Sequence, residues 1–345
     1  MKAGSRERTL KNIFDIPDGS MTKSSCLITG GSGFIGTHLI NHFLKERCFS
    51  KIIVLDLVPS NVADPSVEYV FCDIRKPIPS EGLPPCDICF HLAALCKEPG
   101  YDWNDYFVTN HEGTGNVIRL ADEMSIRTII FTSTMMVFRA GDERNAEDDT
   151  AAPDTAYGIS KLLAELELKR WEAGSAENRL RIVRPGVVFG KGESANYTRL
   201  YYALKKRRFA YIGRKTTVKG SIYVKDLVRF LDFCRSDTCG HTLYNLAYPD
   251  PLTIEQICRA MYDVFGLKGV IPVVPYRPAL MLGYFFEYLA LLGTRTGIHH
   301  RRIQKLYYST DITADRAAAS GFLLSYPLRE ALLDWRQDCL PEDLY

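Results

Sequence analysis

A tyrosine followed four positions later by a lysine occurs four times in this chain of 345 residues, beginning at Tyr157, Tyr201, Tyr202 and Tyr211. On one helix face this spacing places a phenol and an ammonium group one turn apart. We expect the nearby cation to lower the pKa of the phenol from about 10 towards the working pH. The phenol can then take or give the proton of a substrate hydroxyl, so each pair is a candidate acid–base group.

Position along the chain favours Tyr157 over the other three tyrosines. It opens a helical stretch, in the run YGISK, and follows an apolar run with the character of a buried strand. Two hydroxyl residues, Ser133 and Thr134, end that strand 23–24 residues upstream. The pairs at Tyr201 and Tyr202 are better explained by an amphipathic helix with a solvated basic edge. The first pair is therefore the one that we expect to carry chemistry.

A glycine-rich loop, TGGSGFIG, supplies a second chemical signal between the first strand-like run and the first amphipathic stretch. Gly30 can make a tight turn, Gly33 lets a pyrophosphate approach the backbone, and Gly36 lets helix and strand pack closely. The N–H groups at the helix start favour phosphate charge. Asp56, at the end of the next strand-like run, can accept hydrogen bonds from both ribose hydroxyls and would repel a 2′-phosphate. The pattern predicts a dinucleotide site that prefers NAD to NADP.

Short apolar runs alternate with amphipathic stretches through the first half of the chain. The predicted strands are Cys26–Gly30, Lys51–Asp56, Val67–Cys72, Asp87–His91, Thr128–Ser133 and Leu180–Arg184, and the clearest predicted helices are Phe34–Glu46, Asp105–Met124 and Thr155–Glu172. This rhythm indicates an α/β fold, a Rossmann-type doubly wound parallel sheet. It changes after Gly186, which predicts a smaller α/β C-terminal substrate lobe. We divide the chain into a polar tail at 1–22, an NAD-binding Rossmann domain at 23–186 and a substrate-binding lobe at 187–345, partly interleaved with that domain.

Further motifs in the sequence are similar to those of a known protein family. They are Asp73-Ile74 after the third strand, His91-Leu92-Ala93-Ala94 after the fourth, and Asn110-His111-Glu112-Gly113-Thr114-Gly115-Asn116. With the glycine loop and the Tyr157 helix, they make the chain resemble the extended short-chain dehydrogenase/reductase family, which includes nucleotide-sugar epimerases, dehydratases and reductases. The resemblance covers roughly Ser25 to Phe230 and is carried by several spaced motifs.

The resemblance implies a role for each residue of these motifs. Thr134 polarises the substrate hydroxyl or ketone oxygen, Tyr157 is the acid–base group, and Lys161 holds the nicotinamide ribose and tunes the phenol. Ser133 is the alternative to Thr134, and both are also expected to contact substrate. The residues expected to bind NAD are Gly30, Gly33, Phe34, Ile35, Gly36, Asp56, Asp73, Ile74, Leu92, Ala93, Ala94, Asn110, Tyr157 and Lys161. His91 is better explained as a hydrogen-bonded histidine at a strand end, and no metal is predicted.

Two methionines directly after Thr134 limit the types of reaction that we expect the chain to catalyse. Related 4,6-dehydratases carry Asp-Glu there, and decarboxylating relatives keep a Glu. This chain has Met135-Met136 instead, and a thioether cannot transfer a proton. The 3,5-epimerising reductases use a cysteine at the position of Met136. What remains is 4-epimerisation through a transient ketone, or one reduction or oxidation at a single carbinol.

The substrate contacts implied by the resemblance are less complete. The run RPGVVFG has Val187 where relatives place an asparagine that helps to hold a nucleotide-sugar diphosphate. Asn196 and Lys219 stand where relatives place other diphosphate-contacting residues, and a solvent-facing strand lysine is an equal explanation of Lys219. We expect an NAD-dependent enzyme acting at C4 of a UDP-hexose, as a 4-epimerase or a 4-keto reductase. The alternative is a 3β-hydroxysteroid-dehydrogenase-like oxidoreductase with an apolar, membrane-associated substrate.

The amino-acid composition limits the kinds of partner and cellular compartment that we expect for this protein. Because 43 Lys and Arg stand against 41 Asp and Glu, no global charge suggests nucleic acid as a partner. Ten cysteines at irregular spacing are typical of reduced thiols in a cytoplasmic protein. Residues 1–23 lack the apolar core of a secretory signal. We expect a cytoplasmic enzyme, and the resemblance implies a homodimer formed through the helices at Asp105–Met124 and Thr155–Glu172.

The longest apolar stretch, at Ala279–Leu292, leaves one question open. With about 14 residues and a glutamate inside, it is shorter than the ~20 that a spanning helix needs. It predicts either a buried helix of the smaller lobe or a peripheral membrane contact with basic residues at 299–302 as its flank.

Overall fold

A seven-stranded sheet lies at the centre of the structure, a computed structural model that describes residues 24–59, 62–98, 100–236, 240–291, 300–341 and 343–344. The strands are β1 (Ser25–Thr29), β2 (Lys51–Asp56), β3 (Val67–Phe71), β4 (Ile88–His91), β5 (Thr128–Thr132), β6 (Arg144–Asn145), β7 (Arg179–Pro185), β8 (Val187–Phe189), β9 (Tyr211–Ile212), β10 (Ser221–Tyr223), β11 (Leu243–Leu246), β12 (Val273–Val274) and β13 (Asp311–Ile312). The helices are α1 (Phe34–Glu46), α2 (Trp103–Tyr106), α3 (Gly113–Glu123), α4 (Ala156–Ala173), α5 (Asn196–Lys205), α6 (Val224–Phe233), α7 (Ile254–Phe265), α8 (Tyr276–Leu291), α9 (His300–Tyr307), α10 (Asp315–Ala319) and α11 (Leu328–Cys339). A π-helical segment (Phe107–Glu112) joins α2 to α3, and a 3₁₀ turn (Met135–Val137) follows β5. The predicted tail at 1–22 lies outside the described residues.

The central sheet is parallel throughout, in the order β3-β2-β1-β4-β5-β7-β11. The strand order reverses between β1 and β4, and in such sheets ligands bind at this switch point, outside the carboxyl ends of the strands. The predicted Rossmann-type fold is confirmed, and the glycine loop after β1 lies at this edge.

Both faces of the sheet are buried, which explains the near-continuous apolar runs of its strands. Leu27 belongs to the core formed with α3 and α4, whereas its neighbour Ile28 belongs to the core formed with α1 and α6. In α1, Leu39 and Phe43 lie one turn apart on the buried face. The two helix layers hold the strands, and with them the edge where the candidate residues lie.

The predicted elements of the first half agree with the structure to within one or two residues, with one exception. The helix predicted at Asp105–Met124 begins at Trp103, ends at Glu123 and is interrupted by the π-helical segment. Wider turns of this kind are frequent at functional sites. Here the segment carries Asn110, whose side chain reaches α4.

Outside the central sheet, the described part of the chain forms three two-stranded parallel ribbons, β8 with β10, β9 with β12 and β6 with β13, and the last joins residues 144–145 to the smaller lobe. Two later elements return to the central sheet. β11 adds its seventh strand beside β7, and α6 packs against α1. The division at residue 186 stays a prediction, and the sheet draws on chain from both sides of it.

The helix α8 is not the fully buried helix that one interpretation of the apolar stretch predicts. Ala279 and Gly283 are buried, and a Cβ on Gly283 would lie 2.7 Å from Cδ1 of Ile303 in α9. The opposite face is exposed, with Met281 at 73% and Tyr288 at 62%. No helix within the described ranges is long and apolar enough to cross a membrane.

Candidate active site

The glycine loop turns the chain from β1 into α1. Gly30 has a φ of +73°, and a Cβ there would lie 2.6 Å from a backbone nitrogen in the loop after β4. A Cβ on Gly36 would lie 2.5 Å from the carbonyl oxygen of Gly30, so the first turn of α1 packs directly on the loop. Gly33 is the N-cap and offers no side chain to the N–H groups of the first turn, which begins with Phe34 and Ile35. These features fit a dinucleotide, because the helix N-terminus can receive its pyrophosphate.

Asp56 ends β2 opposite this loop. Its Oδ2 accepts a hydrogen bond from the N–H of Ser32 at 3.0 Å, and its Oδ1 accepts one from the N–H of Val58 at 3.3 Å. The half-buried carboxylate is thereby tied to the glycine loop and can also accept ribose hydroxyls. Its charge supports the preference for a cofactor without a 2′-phosphate.

Asp73 and Ile74, the two residues after β3 that are predicted to bind NAD, have different surroundings. Arg75 donates from Nε and Nη2 to the two oxygens of Asp73 at 2.8 and 2.7 Å, and this pairing lowers the pKa of the Asp73 carboxyl. Ile74 is buried against Gly113. A Cβ added to Gly113 would lie 2.9 Å from Cδ1 of Ile74. Ile74 therefore helps to seat α3, and any adenine contact of the Asp73 carboxylate must be shared with Arg75.

His91 ends β4 within a buried chain of hydrogen bonds. Its Nδ1 lies 2.6 Å from Thr29 Oγ1, and its Nε2 lies 2.9 Å from Thr114 Oγ1. The Thr114 hydroxyl donates to the carbonyl oxygen of Asn110 at 2.6 Å, so Nε2 of His91 is the donor and Nδ1 the acceptor of a neutral ring. Burial lowers the pKa of His91 to about 3. The histidine is a structural link, as the sequence suggested, and not an acid–base group.

Asn110 anchors the loop after β4, which contains Leu92–Ala94. Its side-chain amide donates to the carbonyl oxygen of Leu95 and to Oγ of Ser160, both at 3.0 Å. Its oxygen accepts the N–H of Leu95 at 2.8 Å. These three bonds join the loop to α4, so Asn110 positions the loop on which the cofactor contacts are predicted.

Tyr157 and Thr134 are brought together because α4 packs on the turn after β5. A Cβ on Gly158 would overlap the carbonyl oxygen of Met136, so only glycine lets the helix begin this close. Thr155 caps α4 by accepting the N–H of Gly158 at 3.1 Å. The Thr134 hydroxyl accepts the N–H of Met136 at 3.1 Å and lowers the pKa of the Tyr157 phenol, so the two hydroxyls lie near each other. The structure therefore unites the two hydroxyls that the resemblance assigned to one site.

The electrostatics of Tyr157 differ from the expectation. Burial raises the pKa of the phenol, and the nearby Thr134 hydroxyl offsets only part of that shift. The ammonium group of Lys161 lies 3.9 Å from the centre of the Phe131 ring, and burial lowers its own pKa to about 7, opposed by the charge of Glu165. The pKa of Tyr157 is therefore raised, where the sequence predicted that it would be lowered, because the enclosure that holds Tyr157 and Lys161 disfavours their charged forms.

Ser133, the alternative to Thr134, belongs to a separate buried network. Its hydroxyl donates to Oε1 of Glu165 at 2.5 Å. Arg184 donates to both oxygens of Glu165 at 2.8 and 2.6 Å, and all three side chains are buried. Thr134 is thereby the hydroxyl at the phenol. The sequence reasoning missed Glu165 and Arg184, although Glu165 stands one turn after Lys161 on the same helix face.

The two residues predicted to contact a diphosphate lie in the smaller lobe. Asn196 begins α5 and is exposed. Lys219 donates from Nζ to the carbonyl oxygens of Lys305 and Tyr308 at 2.6 and 2.7 Å, at the C-terminal end of α9. Burial lowers the pKa of Lys219 to about 7. Its ammonium group is held by the backbone, so a diphosphate would have to share it.

The other tyrosine–lysine pairs lie away from this edge. The phenol of Tyr201 donates to Asp343 at 2.8 Å, and Lys205 pairs with the same carboxylate at 2.6 Å. Tyr211 lies in β9. On α5, Tyr201 is buried and Lys205 is exposed, as expected for the amphipathic helix with a basic edge that the sequence predicts.

A family model described as the NAD dependent epimerase/dehydratase family matches residues 26–247, more than half of the chain. The match confirms the predicted resemblance, the assignment as an enzyme and the use of NAD. The glycine loop, Asp56 and the Tyr157 helix all fall inside the matched region.

Curated relatives cover two kinds of substrate. The N-acetyl-alpha-D-glucosaminyl-diphospho-ditrans,octacis-undecaprenol 4-epimerase of Escherichia coli O157:H7 is 27% identical over 310 residues, 89% of this chain and 92% of the relative. The 3 beta-hydroxysteroid dehydrogenase/Delta 5-->4-isomerase of Vaccinia virus (strain Copenhagen) is 24% identical over 309 residues, 74% of this chain and 86% of the relative. Proteins similar to this chain thus include both sugar and steroid enzymes.

Solved structures share the fold. MoeE5 in complex with UDP-glucose and NAD superposes with a TM-score of 0.70 at 21% identity, over 92% of this chain and 99% of that one. The UDP-glucose 4-epimerase of Thermotoga maritima, with UDP-glucose, gives a TM-score of 0.70 at 18% identity, over 91% of this chain and 97% of that one. At these identities the likeness concerns the arrangement of the elements.

Proposed function

We propose that this chain, which belongs to the NAD-dependent epimerase/dehydratase family, inverts the configuration at C4 of a hexose carried on a diphosphate. The observation that carries the proposal is the packing of the first turn of α4, which holds Tyr157, on the turn that directly follows Thr134, at the carboxyl edge of the sheet. The loop after β4 connects this pair to the glycine loop, because it touches Gly30 and is bound through Asn110 to α4. The proton-transferring pair and the cofactor loop thus share one edge.

The residues of this pair can carry the proton that the reaction moves. NAD supplies the hydride acceptor that makes oxidation of a carbinol, and its reversal, possible. Tyr157 takes the proton of the C4 hydroxyl during oxidation and returns a proton to the ketone oxygen during reduction. Thr134 donates to the same oxygen and keeps it at the phenol. Because burial raises the pKa of Tyr157, the resting phenol is the proton donor, and oxidation requires its ionisation.

Apolar side chains occupy the positions where dehydration would need further acids and bases. Met136 packs against Ala156 and Tyr157, and the sulfur of Met135 lies 3.7 Å from where Gly220 would place a Cβ. A thioether cannot transfer a proton. This supports a reaction that needs no acid or base beyond Tyr157, namely epimerisation, with reduction of a 4-ketone as the half reaction.

We propose UDP as the carrier of the hexose, in line with the sequence expectation and with the UDP-glucose bound by two solved relatives. A polyprenyl diphosphate is the second candidate. It is favoured by the exposed apolar face of α8 and by the Escherichia coli relative, whose name specifies such a carrier. Both carriers would present the same sugar diphosphate to Tyr157.

The test is a turnover screen of the purified chain with NAD. We expect a 4-epimer without net formation of NADH from UDP-glucose or UDP-N-acetylglucosamine, or from N-acetylglucosaminyl-diphosphoundecaprenol if the carrier is a lipid. Stoichiometric consumption of NADH with a 4-keto sugar would assign the reductase instead. Oxidation of a 3β-hydroxysteroid, with no product from any sugar, would overturn the proposal in favour of the steroid alternative.

We also propose that the active unit is a homodimer paired through α3 and α4. The two helices pack side by side, and Leu166 of α4 is 42% exposed. Sedimentation should give twice the chain mass of 39.0 kDa, and Leu166→Arg should give the monomer. A wild-type chain that sediments as a monomer would refute the pairing.

A further inference from the structure

The exposed side of α8 forms a continuous apolar surface. Met281, Tyr284, Phe285 and Tyr288 recur at helical spacing and are exposed by 73, 51, 54 and 62%, and Leu282 beside them is exposed by 49%. These five residues are called the α8 face. Contiguous apolar surface of this kind on a soluble protein marks a binding site more often than an accident of packing.

Contacts on the inner side fix the direction in which the α8 face points. Gly283 is the contact point with Ile303 of α9, since a Cβ there would lie 2.7 Å from Cδ1 of Ile303. The Glu287 carboxylate pairs with Nδ1 of His300 at 2.6 Å. At the border of the α8 face, the half-exposed Tyr284 ring stacks on the same imidazole, with 4.6 Å between centroids. Rotation of α8 about its axis is therefore restricted, and its apolar side stays outward.

Basic side chains accompany the α8 face. The helices α8 and α9 together carry Arg277, Arg301, Arg302 and Lys305 against a single carboxylate, Glu287. The three arginines are exposed. An apolar helix side rich in aromatic residues, beside a cluster of cations, matches the interface between acyl chains and anionic headgroups.

We propose that the α8 face and the arginines beside it dock the protein on the surface of an anionic phospholipid bilayer. The helix would lie parallel to the membrane, with its apolar side chains about 5–10 Å deep at the boundary between headgroups and acyl chains. Anionic headgroups are favoured because the three exposed arginines of α8 and α9 outnumber Glu287, the carboxylate that these two helices carry.

The docking surface adjoins the candidate active site. Nζ of Lys305, in α9, donates to the carbonyl oxygen of Glu98 at 2.7 Å, in the loop that follows β4. Asn110 binds the same loop to α4, which carries Tyr157. A chain bound through α8 therefore holds the rim of its site close to the bilayer, whichever carrier the sugar has.

Flotation of the full-length chain with vesicles tests the proposal. We expect recovery with vesicles of phosphatidylcholine and phosphatidylglycerol, much less with phosphatidylcholine alone, and less again at high salt. The variant Met281→Ser/Phe285→Ser/Tyr288→Ser should lose more than about tenfold in vesicle affinity. Arg301→Gln and Arg302→Gln should each lose about fivefold. Leu323→Ser is the matched control, because it removes an apolar side chain that is 77% exposed outside the α8 face.

Several outcomes would overturn the proposal. One is a wild-type chain that stays unbound with both vesicle types, and another is a triple variant that floats as well as the wild type. If the triple variant instead converts a dimer to a monomer while the wild type ignores vesicles, the α8 face belongs to a second copy. Thermal unfolding confirms that each variant is folded. Since flotation needs neither NAD nor sugar, its failure is separate from any failure of the proposed epimerase activity.

Discussion

Two neighbouring hydroxyl residues at the end of β5 enter different surroundings. Thr134 is buried near Tyr157 and lowers the pKa of its phenol, and we call these two the reaction pair. Ser133 donates to Glu165, which also binds Arg184, and we call these three the supporting network. Because successive residues of an extended chain point to opposite sides, one step along the chain separates the two sets. In this chain the Ser–Thr run thus places one hydroxyl at the phenol of the proposed reaction and uses the other to hold the strand to α4.

Removal of the Tyr157 oxygen should give the largest effect. We expect Tyr157→Phe to lower turnover by about 10²–10⁴-fold, because general acid–base transfer is lost. Binding of NAD should persist, and the rise in Tm on adding NAD measures it. Tyr201→Phe makes the same chemical change at a phenol bound to Asp343 and should keep turnover. Full activity of Tyr157→Phe would place the acid–base group elsewhere.

Neutralising Glu165 tests the supporting network through stability. Glu165→Gln leaves the Arg184 guanidinium buried without a counter-charge, so the free energy of unfolding should fall by about 3–5 kcal/mol. Urea denaturation measures this. The double variant Glu165→Gln/Arg184→Met should recover much of the loss, because it leaves no unpaired buried charge. A loss in the single variant below about 1 kcal/mol would mean that the pair behaves as an exposed one.

Truncation of the two hydroxyls separates the two sets directly. Thr134→Ala should lower turnover by about a hundredfold, since a donor to the reacting oxygen is lost, with little change in stability. Ser133→Ala should lower the free energy of unfolding by about 1–3 kcal/mol, since it removes a partner of a buried carboxylate. Paired kinetic and urea measurements check both. The opposite pattern would exchange the assignments.

The smallest expected effect is a shift in pH dependence. Because burial raises the pKa of Tyr157 and oxidation needs the phenolate, the oxidation rate should rise as the pH increases above neutrality. The nearby Thr134 hydroxyl lowers that pKa, so the profile of Thr134→Ala should move to higher pH, by about one unit or less. The profile of Ser133→Ala should stay in place. Coincident profiles for all three proteins would remove Thr134 from the reaction pair.

The spacing of residues in the sequence was sufficient to predict some parts of the candidate site but not others. The glycine loop and the Tyr157 helix could be predicted because each signal lies within a few residues. The pairing of Glu165 with Arg184 could not, since it joins two elements that meet only in the folded core. The backbone contacts of Lys219 join residues 86 and 89 positions apart. The rise in the pKa of Tyr157 could not be predicted for the same reason, because burial is set by the fold and not by the Tyr-x-x-x-Lys spacing.

The position of β11 has a consequence for how the protein is made. This strand pairs with β7 across about 60 residues of chain, so it leaves the ribosome long after its neighbour. Until then the nascent sheet has six strands and an unpaired edge at β7, which is a template for pairing with another chain. A fragment ending near residue 186 would keep that edge open permanently. The cofactor domain therefore cannot be produced by truncation at its apparent sequence boundary without exposing a strand that the whole chain covers.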